Sequence, residues 1–373
     1  MKISILEEPR TIISNPGSKH NYFAWPSVGR LPDGRIAAVC SGFRVAHVCP
    51  FGKSVMAVSE DGGKTYSSPF PIIDTALDDR DSGFMTFGEK GVIITSFNNT
   101  RLAQRNWHPL EPDGDKELYL KNLYIHAYLD TVTDEEEARD LGSTFRMSAD
   151  GGKTYGPVMK SPVTSPHGPC ELQDGTILYV GRTFSPDDSV NDDRVQAWRI
   201  NPDGSMEHLG TVPPIYRDGI FLLSCEPHAI QLPSGRIICH IRVEPQVFTV
   251  YQSVSDDGGR TWSTPVPLLA DRGGSPPHLL RHSSGMLIST YGYREAPYGI
   301  RVMFSTDNGE TWDTNNILWD KGPSHDLGYP CTMELEDGSL LTVFYTHETG
   351  SKEYSDPGVG ATVIKQMLWK IED

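Results

Sequence analysis

Four octapeptides in this chain share one frame: SEDGGKTY at Ser59–Tyr66, SADGGKTY at Ser148–Tyr155, SDDGGRTW at Ser255–Trp262 and STDNGETW at Ser305–Trp312. Self-similarity of this kind outranks any local motif, because it says that the chain repeats one supersecondary unit. The third position holds Asp61, Asp150, Asp257 and Asp307, and a worn copy, NPDG at Asn201–Gly204, adds Asp203. The steps between these aspartates are 89, 53, 54 and 50 residues, so the first step carries an insertion, at about residues 98–142. A phosphate loop would need a glycine five residues before the Gly-Lys pair, and those places hold Val58 and Met147. A turn staple fits better: an Asp side chain accepts backbone N–H bonds, the glycines supply positive φ, and the closing aromatic wedges against a neighbouring strand.

A second pattern runs between the boxes. Short apolar runs meet at DG-type turns in PSVGRLPDGRIAAVC, GFMTFGEKGVIITSF, PCELQDGTILYVGR, PHAIQLPSGRIICHIR, PHLLRHSSGMLISTYG and PCTMELEDGSLLTVFY, with turn glycines Gly34, Gly91, Gly175, Gly235, Gly285 and Gly338. Each is a hairpin signature. Every unit then reads strand A, DG turn, strand B, loop, strand C, box turn, strand D. Six such units of about 50 residues predict an all-β, six-bladed β-propeller in which residues 1–373 form one domain. The last unit has a strand C at Ala361–Ile371 but no strand D, and Lys2–Leu6 is predicted to supply it and close the ring. One helix is expected, at Asp134–Leu141 inside the insertion, which is a candidate lid or homo-oligomer contact.

Bulk properties narrow the function. A formal net charge of −16 argues against sequence-independent nucleic-acid binding. No run of about 18 apolar residues predicts a membrane span. Met1–Arg10 has neither the apolar run nor the cleavage site of a secretory leader, so a cytoplasmic protein is expected. The six cysteines form no CxxC pair and read as reduced, mostly buried thiols. No metal or cofactor is predicted: Asp187, Asp188, Asp192 and Asp193 lack the glycine of an EF-hand loop.

In a propeller, residues at the start of strand A, the end of strand B and the B–C loops converge on one rim of the channel. Here that rim collects Trp25, Arg80, Asp81, His167, Glu226 and Tyr329, then Arg44, Arg182 and Arg242, then His47, Arg294 and Arg301. So many arginines in an acidic protein point to an anionic ligand, since the guanidinium fork matches a carboxylate bidentately.

The octapeptides are similar to the Asp boxes of the sialidase (neuraminidase) superfamily, and the repeat register covers nearly the whole chain. Three segments resemble that family residue by residue. SCEPHAIQLPSGRIICHIR implies Glu226 as the carboxylate partner of the nucleophile and Arg242 as a carboxylate-binding arginine. YGIRVMFSTDNGETW implies Arg301 as a further member of the arginine set, and GYPCTMELEDGSLLTVFY implies Tyr329 as the nucleophile. A phenol with a pKa near 10 needs such a carboxylate to take its proton. Two segments depart. Where the family has an arginine before Ile-Pro, this chain has Ala24 before Trp25-Pro26, and Val45–Lys53 lacks the family's acid Asp. It offers His47 after Arg44, and Asp81 is the nearest replacement acid.

The resemblance implies an exo-glycoside hydrolase acting with retention on a terminal acidic sugar. Tyr329 would attack, Glu226 would take its proton, and Asp81 or His47 would protonate the leaving oxygen. Arg242, Arg301 and Arg44 would hold the anion, with His167 and Arg182 as further substrate contacts. Two alternatives stay open: a lyase acting on a uronate-containing glycan, with a Tyr/His pair as its base, and a non-catalytic carbohydrate-binding propeller.

Overall fold

The computed structural model describes residues 1–185, 194–244, 249–269, 274–348 and 361–372; Asp187, Asp188, Asp192 and Asp193 lie outside them. The chain is all-β and propeller-like, with 26 strands and three short helices among the described residues. All six predicted A–B hairpins form. They pair Tyr22–Arg30 with Ile36–Arg44, Arg80–Phe87 with Gly91–Phe97, and Cys170–Glu171 with Ile177–Thr183. They also pair Ile220–Gln231 with Ile237–Glu244, Ser275–Arg281 with Leu287–Tyr293, and Gly328–Glu334 with Leu340–His347. Five turn glycines take the positive φ expected of them; in the second hairpin Gly88 does so instead, and Gly91 begins the next strand.

Hydrogen bonding gathers the strands into five sheets. Four hold one hairpin each. The fifth, eight-stranded, holds the first and sixth, joined where Tyr22 pairs in parallel with Thr362. The amino-terminal strand runs further than expected, Lys2–Ile13, and pairs antiparallel with Thr362–Glu372 from Lys2↔Glu372 to Ile13↔Ile364. The B strands are buried along most of their length, as in Ile36–Cys40 and Ile237–Ile241, because both faces are covered by neighbouring sheets. The core is accordingly divided into seams between sheets. Val39, Met56, Phe84 and Ile94 fill one, and Leu178, Ala197, Cys239 and Trp262 fill another. Trp25, Val55, Cys331 and Val343 close the seam between the first and sixth hairpins.

The boxes are staples, as their composition predicts. In the first, Asp61 accepts from the Thr65 amide at 2.8 Å, the Thr65 hydroxyl at 2.6 Å and the Ser59 hydroxyl at 2.8 Å, while the Gly63 amide donates to Ser59 Oγ at 2.8 Å. Asp150, Asp257 and Asp307 repeat the pattern. The first and last boxes also dock on a strand of the neighbouring unit. Gln252 Nε2 donates to Gly309 O at 2.9 Å and its Oε1 accepts from Trp312 Nε1 at 3.0 Å. Gln366 treats Gly63 O and the Tyr66 hydroxyl in the same way, at 3.0 and 2.6 Å.

The insertion differs from expectation: it folds as three helices, α1 (Arg101–Trp107), α2 (Lys116–Leu129) and α3 (Asp134–Asp140). Each has a polar N-cap, Thr100, Asp115 and Thr133, the last in a capping box with Glu136. Arg101 ties α1 to α3 through Glu137 at 2.8 Å, and His108, just after α1, bonds Val48 O at 2.6 Å and Asn122 at 3.2 Å. The helices thereby stand over the first B–C loop.

Candidate active site

The A strands are interrupted by a bulge at one end. Pairing shifts register between Ala24 and Ser27, Arg80 and Gly83, Cys225 and His228, and Gly328 and Cys331. Inside these bulges Trp25, Asp81, Glu226 and Tyr329 take φ of 56°, 49°, 48° and 50°. A non-glycine residue in that region costs about 1–2 kcal/mol. Three of the four precede proline, which has no N–H to lose from the ladder and is tolerated at bulges. Four equivalent bulges thus turn four side chains, two of them carboxylates, out of the sheets and toward one another.

Their meeting point is compact. The Tyr329 hydroxyl donates to Glu226 Oε1 at 2.5 Å, Arg242 Nη1 donates to Glu226 Oε2, and the same nitrogen lies 3.2 Å from the Tyr329 oxygen. Arg242 Nη2 bonds Glu244 at 2.6 Å. Burial alone would raise the Glu226 carboxyl, but Arg242 and the Tyr329 hydroxyl hold it below the usual glutamate range. Tyr329 is pushed well above 10 by burial and by the charges of Glu226 and Asp81. The phenol is therefore a donor at neutral pH, beside an ionised base.

Asp81 has the opposite character. It is buried, its Oδ1 has no hydrogen-bond partner, and burial with the charge of Glu226, opposed by Arg80, lifts its pKa to about 7. Asp81 and Glu226 line one cavity of about 910 Å³, with Arg80, Arg182, His47 and Glu244; α1 and α3 contribute Leu102, Trp107 and Glu137 to its wall. One carboxylate held below its ordinary range and one raised to about 7 form the kind of pair that acid–base chemistry on a glycosidic bond requires.

His47 also faces this cavity, and its surroundings fix its protonation. The Tyr22 hydroxyl donates to Asp326 Oδ2 at 2.9 Å, so the imidazole Nδ1, 2.8 Å from the Tyr22 oxygen, carries the hydrogen. Nε2 is left as the acceptor, 3.4 Å from Arg80 Nη2. Asp326 takes further bonds from Tyr345 at 2.8 Å and His347 at 3.1 Å, and is held well below its ordinary pKa despite burial. Burial pushes His47 down, against the pull of Asp326, which keeps the ring neutral.

Three expected ligand contacts lie elsewhere. Arg44 is 0% exposed; Asp78 at 2.6 Å, Ser41 at 2.7 Å and the carbonyls of Ala46 and His47 use its guanidinium, so it is structural. Arg301 spends its donors on the carbonyls of Trp319, Pro297 and Ile300 and packs its head on Tyr293. A second arginine beside Tyr329, after Arg242, is Arg294, 5.7 Å from the Tyr329 ring centroid and bonded to the Tyr345 hydroxyl at 3.2 Å. His167 is buried against His228 and His278, with ring centroids 5.7 and 5.0 Å away, and burial keeps it neutral. Glu244, Asp326 and Tyr22 escaped the sequence reading, because nothing local distinguishes them. Trp25, already placed on the rim by its position at the start of strand A, stands before proline as Glu226 and Tyr329 do.

Comparison with known proteins gives the fold its relatives. A protein of unknown function from Dyadobacter fermentans DSM 18053 superposes with a TM-score of 0.74 at 20% identity, over 99% of each chain. The NanB sialidase of Streptococcus pneumoniae gives 0.67 at 12% identity, over 97% of this chain and 70% of its own. The intramolecular trans-sialidase of Ruminococcus gnavus gives 0.65 at 14%, over 97% of each. At such identities the likeness is one of fold. No curated protein sequence matches the chain. The sequence profile of the family described as BNR repeat-like domain matches residues 135–342, more than half of the chain, and the protein belongs to that family.

Proposed function

We propose that the chain is one six-bladed propeller domain and a retaining exo-glycosidase. For the blades, the argument is cyclic repetition. The eight-stranded sheet divides at the single Tyr22↔Thr362 contact into two four-stranded units, and the first box docks on Gln366 as the fifth docks on Gln252. For the reaction, the Tyr329–Glu226 hydrogen bond under Arg242 carries the reading. Tyr329 attacks the anomeric carbon while its proton passes to Glu226, and protonated Asp81 gives its proton to the departing oxygen. Asp81 then takes a proton from water, water attacks the same carbon, and Tyr329 leaves with its proton returned by Glu226. Two inversions give net retention. Arg242, balanced between Glu226 and Glu244, stabilises the developing phenolate and does not clamp a substrate carboxylate.

A panel of chromogenic sialosides, uronides and neutral glycosides tests this, with proton NMR to read the anomer first released. Turnover with retention supports the reading; turnover with inversion, or binding of these sugars with no turnover, overturns it. His47 favours one further reaction. A neutral imidazole with its Nε2 lone pair toward Arg80, near a protonated carboxylic acid, suits β-elimination from a uronate. A lyase would release an unsaturated product absorbing in the ultraviolet, and His47→Gln would abolish that signal.

A further inference from the structure

With Arg44, Arg242 and Arg301 committed to protein groups, the question is what recognises an anion on the substrate. Arg80 differs from those three. It lines the cavity beside Asp81 and stacks its guanidinium carbon 4.4 Å from the Trp25 ring centroid and 5.8 Å from that of Phe97. Its polar contacts are long: Nη1 is 3.9 Å from Asp78, and Nη2 is 3.4 Å from His47. Asp78 already has Arg44 at 2.6 Å and the Cys49 amide at 2.9 Å. The Arg80 Nε is buried and has no hydrogen-bond partner. Leaving a buried charged donor unsatisfied is costly, and such groups call for a partner that arrives from outside. The two aromatic faces hold the guanidinium plane, so little side-chain entropy would be lost when an anion lands on it.

We infer that Arg80 is the anion-recognising residue of this cavity and that it selects a sugar bearing a carboxylate. This rests on the reading of the cavity as a sugar site and deepens it: the charge contact has moved from the arginines the sialidase resemblance implies to the blade-two bulge. A carboxylate fits better than a sulfate ester, because the planar guanidinium fork, its carbon 4.4 Å from the Trp25 ring centroid, matches a planar two-oxygen group bidentately. A carboxylate on Arg80 also comes next to the His47 Nε2 and the Asp81 carboxyl, the two groups able to move protons.

Binding separates this inference from catalysis. The probes are glucuronate, galacturonate and N-acetylneuraminate, each against its methyl ester, with glucose 6-sulfate as the sulfate arm, titrated calorimetrically at pH 7. Wild-type protein is expected to bind at least one free acid about tenfold or more tightly than its ester. Arg80→Met keeps the aliphatic stem between the rings and should erase that preference while leaving ester binding unchanged. Arg80→Lys should recover part of it, because the charge remains and the fork is lost. Equal affinity for acid and ester in the wild type, an unaltered preference in Arg80→Met, or tighter binding of the sulfate than of every carboxylate overturns the inference. Should Arg80→Met unfold, Arg80→Lys carries the test alone, and unreduced acid preference there counts against it. Tyr329→Phe protein gives the same titrations without turnover. A dead Tyr329→Phe with intact acid preference leaves the inference standing whatever becomes of the proposed reaction.

Discussion

The same side chain does opposite things at two places in these sheets. In the boxes, Asp61 sits exposed between strands C and D, with both oxygens taken by Thr65 and Ser59, and these bonds hold its carboxyl far below the usual aspartate range. In the bulge on strand A, Asp81 is buried at φ 49°, has an oxygen with no partner, and is pushed up to about 7. The box aspartate is relaxed, satisfied and repeated four times. The bulge aspartate is strained, unsatisfied and single. Strain and unmet hydrogen bonds persist in a folded protein only where the surroundings enforce them, and such positions concentrate at functional sites. Abundance marks the staples; local discomfort marks the site.

The largest effect expected on either side of this contrast comes from Tyr329→Phe. It removes one buried oxygen and leaves the bulge geometry, so the melting temperature should change little. Turnover of the best glycoside in the panel should fall by about 10³-fold or more, because the proposed nucleophile is gone. Activity within tenfold of wild type would remove Tyr329 from the mechanism and leave the bulge strain without a purpose.

Asp81→Asn should come next. In the proposed role of general acid, Asp81 would be worth about 10²–10⁴-fold on glycosides with poor leaving groups. Wild-type activity should decline above about pH 7 as its carboxyl ionises, and the variant should lose that limb of the profile. Stability should move the other way. With a folded pKa near 7 and an unfolded one of about 3.9, the native state retains a proton that the unfolded chain has released. Native stability therefore falls as pH rises from about 4 to 7, and the whole penalty is present above 7. The asparagine variant escapes it, so its melting temperature should exceed that of wild type by a few degrees at pH 8 and converge with it at pH 4. Equal melting curves at both pH values would mean that Asp81 ionises normally, and would remove it as the proposed general acid.

How much of this the sequence disclosed follows from what repeats. The boxes, the six hairpins and the pairing of the two chain ends are periodic features, so each copy vouches for the others. The repeat register placed Tyr329, Glu226 and Arg242 on equivalent strand ends, and the structure brings the three within hydrogen-bonding distance of one another. Arg44 and Arg301 were misplaced by the same register: it locates a backbone position, but whether an arginine head reaches solvent depends on Asp78 in one case and on the Trp319 carbonyl in the other. Helix α2 was missed because its apolar residues are spread around its circumference instead of forming a stripe; Leu120, Leu123 and Tyr124 remain exposed. Asp326 meets Tyr22 and His47 from the opposite end of the chain together with Tyr345 and His347, a convergence that no local pattern announces.

The mildest test concerns the staples. Asp61→Ala removes an acceptor for three donors in an exposed turn, and water can satisfy those donors, so the loss should be a few degrees of melting temperature. Its pH dependence should be the reverse of that at Asp81. A depressed carboxyl stabilises the fold at every pH above its unfolded value of about 3.9, and the contribution fades only as pH falls through the lower folded value. The gap between Asp61→Ala and wild type should thus be constant from pH 5 to 8 and shrink in stronger acid. Turnover should stay within about twofold, because the box touches Gln366 and the adjoining strand and contributes nothing to the cavity. A box variant that lost turnover while keeping its melting temperature would break the division of labour between the two kinds of aspartate, since the ring's outer turns would then be coupled to the bulges at its mouth.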